Sequence, residues 1–179
     1  MYSSETKRTS TGNNYHVFYR EHAQTGKKEL VLDLAKVKQV RDPSTTIIDK
    51  VKMSDDHSRV AFNVDLHNNE KLSMGVMDIQ TGAVLDWVDN CCQVEFDSTG
   101  EYIYYCVADK LNRPHKIFKR KIGDSQPQLK DTVIHEDEDP THYIDIGVSK
   151  DKKYFIHTCG QGSVTVIDRS SPSDEQFKL

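Results

Sequence analysis

The densest run of chemically capable side chains is His135-Glu-Asp-Glu-Asp-Pro-Thr-His142, two imidazoles and four carboxylates in eight residues. Folded inward, such a loop offers oxygen and nitrogen donors to a divalent cation. Its spacing fits no standard ligand frame, since there is no H-E-x-x-H and the central glycine of an EF-hand loop is missing. A solvated acidic loop joining two β units is therefore expected, with no metal and no cofactor. For nucleophilic chemistry, the one serine near clustered glycines is Ser163, in Cys159-Gly-Gln-Gly-Ser-Val-Thr165. A nucleophile elbow needs glycines two positions before and after the serine, where this chain has Gln161 and Thr165, so the segment reads as a glycine turn between strands. Cys91, Cys92, Cys106 and Cys159 form no C-x-x-C, and adjacent Cys91 and Cys92 are poorly placed to bridge one another. Cys106 and Cys159 sit in apolar runs and read as small buried hydrophobes. His57, His67, His115 and His157 have no evident partners in the sequence, and Trp87 reads as a packing residue. No catalytic, cofactor-binding or metal-ligating residue is assigned.

The elements that would hold these groups are announced by an internal echo. Val51-Lys-Met-Ser-Asp-Asp-His-Ser-Arg-Val-Ala-Phe62 recurs 43 positions later as Val94-Glu-Phe-Asp-Ser-Thr-Gly-Glu-Tyr-Ile-Tyr-Tyr105. It returns a further 52 on as Ile146-Gly-Val-Ser-Lys-Asp-Lys-Lys-Tyr-Phe-Ile-His157. Each copy is an alternating run, a polar turn and a second apolar run, which is a hairpin. A strand pair with a Thr-Gly or lone Gly turn follows or precedes each copy, as at Thr81-Gly82, Thr25-Gly26 and Gly123. A period of this length made of strands predicts propeller blades. Between Leu30 and Val40 at most one helical turn is expected, because Val31 and Leu32 spoil the helical stripe.

Composition narrows the function. Apolar residues are 36% and charged residues 29% of 179, with a net charge of −4 and the two signs interleaved. Nucleic-acid binding needs concentrated positive charge, so no nucleic-acid partner is expected. Lys116-Ile-Phe-Lys-Arg-Lys121 places Lys116, then Lys119 or Arg120, on a solvated strand face. No apolar run approaches membrane-spanning length, the polar start lacks the apolar core of a secretion signal, and a cytoplasmic setting is expected.

The predicted fold is all-β, a partial β-propeller of about three and a half four-stranded antiparallel blades. Residues 1–14 are expected to be a flexible polar segment and 171–179 a flexible tail. The propeller spans 15–170, with an outer half-blade at 15–34, blades at 47–88 and 92–135, and an incomplete blade at 143–170. Three and a half blades do not close an ordinary ring. A longer chain or a partner must cover the ends, through self-association of exposed blade faces if nothing else.

Two stretches carry a family resemblance. Leu111-Asn-Arg-Pro-His-Lys-Ile-Phe-Lys-Arg-Lys-Ile-Gly123, followed by Val133-Ile-His-Glu-Asp-Glu-Asp-Pro-Thr-His-Tyr-Ile-Asp-Ile-Gly147, resembles the propeller of the oligopeptidase B branch of the prolyl oligopeptidase family of serine peptidases. Met53-Ser-Asp-Asp-His-Ser-Arg-Val-Ala-Phe62 with Met77-Asp-Ile-Gln-Thr-Gly82 is similar to the preceding blade, and residues 15–32 to the entry segment. The resemblance implies a seven-bladed propeller seated on an α/β-hydrolase domain, admitting short peptides cleaved after Lys or Arg. It also implies that the catalytic Ser, Asp and His lie in that other domain, because no position here matches their motifs. The chain would then be a steric gate, inactive alone; the alternative is a non-catalytic interaction scaffold that closes its ring by dimerisation.

Overall fold

Alternating apolar residues broken by Asp, Ser and Gly turns draw this chain into antiparallel strands. A computed structural model describes residues 1–124, 128–160 and 162–170. The first sheet holds β1 (Tyr2–Arg8), β2 (Asn14–Glu21) and β3 (Lys28–Asp33). The second holds β4 (Ile47–Met53), β5 (Arg59–Asp65), β6 (Leu72–Asp78) and β7 (Val84–Val88). The third holds β8 (Cys91–Phe96), β9 (Tyr102–Ala108), β10 (Pro114–Lys121) and β11 (Thr132–Glu136), and the fourth β12 (Ile144–Val148), β13 (Tyr154–Cys159) and β14 (Ser163–Asp168). Every sheet is a meander in chain order. Between the first two, Leu34–Lys36 makes one 3-10 turn, capped where the Ala35 N–H donates to Asp33.

The amino-terminal expectation is corrected. Within residues 1–14, β1 pairs with β2 from Tyr2↔Arg20 to Arg8↔Asn14, so the opening unit has three strands. Ladder bonds need only backbone, and the polar side chains that suggested flexibility suit a strand at a sheet edge. Lys28 of β3 reaches Glu5 of β1 at 2.6 Å. The expected tail at 171–179 and the turn residue Gln161 lie outside the described residues.

The three echoed hairpins share one turn, built with exchanged chemistry. In the first, the Ser54 Oγ–H donates to Asp56 at 2.6 Å, and the Arg59 N–H donates back to Ser54 Oγ at 3.0 Å. In the third, Ser149 donates to Asp151 at 2.6 Å and the Tyr154 N–H returns to Ser149 Oγ at 3.1 Å. The middle turn swaps the pair: Thr99 Oγ1 donates to Asp97, whose other oxygen accepts the Tyr102 N–H at 3.0 Å. The next residue of each turn, His57, Gly100 or Lys152, has φ of 59°, 71° or 62°. That is the left-handed conformation which closes the reversal, free of cost only for glycine.

Successive side chains of a strand point to opposite faces, and the echo uses this to stack sheets. Phe62 packs back against Leu32 and Leu34, while neighbouring Ala61 packs forward against Val94 and Tyr105. One copy on, Tyr105 faces back and Tyr104 faces forward, onto Phe155, Ile144 and Ile146. Three cores thus lie between four successive sheets, each sheet lending one face to each neighbour. Phe62 lies flat across Gly75, its partner in β6, where any Cβ would collide with the ring. The first strands β4, β8 and β12 approach one another on one side of the stack. This is a partial β-propeller, with three- and four-stranded antiparallel sheets.

Candidate functional site

The strands β4, β8 and β12 together form an inner wall. Equivalent echo positions meet directly there: Lys50 Nζ donates to Gln93 Oε1, and Lys52 Nζ lies 2.6 Å from Glu95 Oε1. Both pairs are 43 residues apart, which is the echo period, and Asp145 and Gly147 continue the two rows. Glu95 is held above the usual carboxylate range because burial outweighs its hydrogen bond to Lys52. Such rungs fix neighbouring sheets in register and leave a polar wall.

The outer seam between the second and third sheets is closed by a buried ionic cluster. Arg120 Nε donates to Asp86 at 2.8 Å, its Nη1 to Asp131 at 2.7 Å and its Nη2 to the Asp124 carbonyl at 2.9 Å. The Tyr105 hydroxyl donates to the second Asp131 oxygen at 2.6 Å. Alternation offered Arg120 as one of the solvated cations of its strand; it is buried instead. Two carboxylates and a carbonyl satisfy the guanidinium, and β10 carries a register shift at Ile117/Phe118 that alternation does not foresee. Lys119 lies over the rings of Tyr102 and Tyr104, and Lys116 pairs with Glu136.

The third region gathers the polar run singled out above. Asp137 follows β11 directly, and its Oδ2 accepts from Cys159 Sγ at 2.6 Å and contacts His142 Nδ1 at 3.0 Å. His135 on β11 completes a set in which its ring nitrogen, an Asp137 oxygen and Cys159 Sγ lie within 4.8 Å of one another. The loop is braced: Arg113, paired with Asp109 at 2.9 Å, donates to the carbonyls of Asp139 and His142. The His142 ring lies against Gly160, whose φ is 61° and where a Cβ would meet the ring. The expected solvated loop is so in part: Glu136, Glu138 and Asp139 are exposed, whereas Asp137 and His142 turn inward. Cys159 is buried as expected, yet it is also a hydrogen-bond donor.

Burial, then the bond to Asp137, pushes the Cys159 thiol up to about 11. The Cys159 and His142 contacts hold Asp137 at about 2. The sulfur is thus a protonated thiol rather than an activated nucleophile. His157, fully buried, has its ring centroid 4.6 Å from that of His135, and burial takes it down to about 4. His57 closes a turn and meets the Tyr2 hydroxyl at 2.5 Å. Trp87 packs edge-on against Phe62 and donates Nε1–H to Asp89. The role of Cys159 lay beyond sequence reasoning because it stands 22 residues from Asp137.

Among the described residues, none covers the far side of the fourth sheet. Tyr154, Ile156, Val164 and Val166 share that face and are 40%, 36%, 59% and 61% exposed.

Comparison with known proteins places this geometry. The profile described as "Prolyl oligopeptidase, N-terminal beta-propeller domain" matches residues 6–179. "Protease 2" of Moraxella lacunata is 26% identical over 178 residues, taking in 92% of this chain and 25% of that protein. Oligopeptidase B from Leishmania major superposes with a TM-score of 0.77 at 17% identity, over 98% of this chain and 25% of that one. Oligopeptidase B from Trypanosoma brucei, in a closed form with covalently bound antipain, gives 0.68 at 21% identity over 94% and 24%. The chain thus spans about a quarter of the length of these relatives. With its stacked meanders and a profile match over nearly all its residues, the chain belongs to the prolyl oligopeptidase family, as part of the N-terminal β-propeller.

Proposed function

We propose that this chain serves as the entry half of a propeller gate in an oligopeptidase B-like serine peptidase that cleaves short peptides after Lys or Arg. The nucleophile and its base belong to an α/β-hydrolase domain, and the propeller restricts which peptides reach it. The inner wall carries the reading: Lys50–Gln93 and Lys52–Glu95 pin the second sheet to the third at fixed spacing through polar side chains. A wall so pinned passes an extended peptide and rejects a folded protein. The uncovered apolar face of the fourth sheet accords with further blades following it. Four free thiols accord with a cytoplasmic setting.

The test is activity. The purified 179-residue chain should not hydrolyse an Arg-containing fluorogenic peptide, whereas a full-length peptidase in which this chain is completed by the remaining blades and the hydrolase domain should cleave that peptide and spare a folded protein bearing the same sequence. Turnover by the chain alone would overturn the reading. The apolar strip also supports a second reading, a scaffold whose ring closes through a second copy. Sedimentation as a discrete closed dimer would favour it, and a monomer the gate.

A further inference from the structure

We infer that His135, Asp137 and Cys159 form a binding site for a zinc-class divalent cation, which would clamp the third sheet to the fourth. The three donor atoms come from β11, the residue after it and the last position of β13, and lie within 4.8 Å of one another. In a tetrahedral shell with metal bonds near 2.0–2.3 Å, ligand atoms stand roughly 3.5 Å apart. Small side-chain rotations therefore suffice to close the set. One sulfur, one imidazole nitrogen and one carboxylate oxygen are the donors that zinc takes, whereas calcium and magnesium prefer oxygen alone. Three protein ligands leave the fourth position to water.

The surroundings are built to hold this arrangement. Asp137 Oδ1 accepts the Asp139 N–H at 2.8 Å, which leaves Oδ2 facing Cys159. His142 is a positioning residue: its ring, packed on Gly160, holds Asp137 through Nδ1. Arg113 ties the carbonyls on either side of the loop. At present the thiol hydrogen lies between Sγ and the carboxylate. On binding, the S–H bond breaks, the sulfur–metal bond forms with the electron pair left on sulfur, and the proton leaves to solvent.

Cobalt(II), which reports thiolate ligation by a charge-transfer absorption, is the probe. One equivalent added to the 179-residue chain should produce that band, zinc should abolish it by displacement, and zinc but not calcium should raise the melting temperature. C159S should lose the band and C92S should keep it. H142A should keep the band with affinity weakened by about tenfold. No band in the unsubstituted chain, a band that survives in C159S, or an equal thermal shift with calcium would overturn the site. Unchanged affinity in H142A would overturn the positioning role. The titration of the unsubstituted chain decides the matter even if C159S fails to fold.

Discussion

Two copies of the same hairpin, in the third and fourth sheets, meet opposite environments. Tyr104 and Ile156 hold equivalent echo positions and both point toward the sheet that would follow. Tyr104 is fully buried because β12 and β13 lie over it; Ile156 is 36% exposed, with no described sheet beyond it. The residues on either side behave alike, Ile103 and Tyr105 in one copy and Phe155 and His157 in the other all being fully buried. The hairpin thus specifies which way a side chain points, and the neighbour specifies whether water reaches it. Stability in such a stack resides in the seams between sheets as much as in the sheets themselves.

That contrast can be broken directly. Tyr104→Ala should cost about 3–5 kcal/mol, the range for emptying a buried aromatic site. Ile156→Ala, at the matching position, should cost below about 1 kcal/mol; urea denaturation of both decides. Equal losses would mean that the far face of the fourth sheet is covered in solution. The ionic part of the seam is probed by Arg120→Ala, expected to cost about 3–5 kcal/mol because Asp86 and Asp131 would be left buried and unpaired. A loss no larger than that of a surface ion pair would show that the cluster admits water.

Smaller effects sharpen the comparison within the other sheets. Gly75→Ala forces a methyl into the Phe62 ring, and about 1–3 kcal/mol should be lost from the seam between the first and second sheets. The double variant with Phe62→Leu should recover part of it, which separates crowding from backbone effects. Gly100→Ala, at φ of 71°, should cost about 1–2 kcal/mol, while Lys152, already non-glycine at the matching turn position, should tolerate alanine.

The smallest effect is on acid stability. Ser54, then the Ser58 N–H and hydroxyl, hold Asp56 at about 2 against an ordinary 3.8. The folded state therefore favours the carboxylate, and its contribution is complete above the ordinary value and lost as pH falls from about 4 toward 2. Asp56→Asn should flatten the stability curve in that window and leave its shape at neutral pH unchanged. An unaltered acid limb would show that the turn contributes nothing through this charge.

Most of the architecture was legible because it is written in local signals. The echo located three hairpins, the Thr81-Gly82 and Gly123 reversals located their continuations, and alternation told inward from outward residues. It failed where tertiary partners override local pattern. Polar β1 looked like a tail because its pairing is carried by backbone, and Arg120 could be read as solvated because its two carboxylates come from Asp86, 34 residues away, and from Asp131. The candidate cluster was half legible: the run from His135 to His142 marked the donors on one side, and nothing near it in sequence pointed to Cys159.

The order of residues alone decided strand, turn and facing, since these depend on neighbours along the chain whose steric and hydrogen-bonding preferences act within a few residues. Which faces are sealed, which charges are paired and which donors converge were decided only when separate sheets came together. Those properties depend on groups tens of residues apart, and no local preference encodes the distance between them.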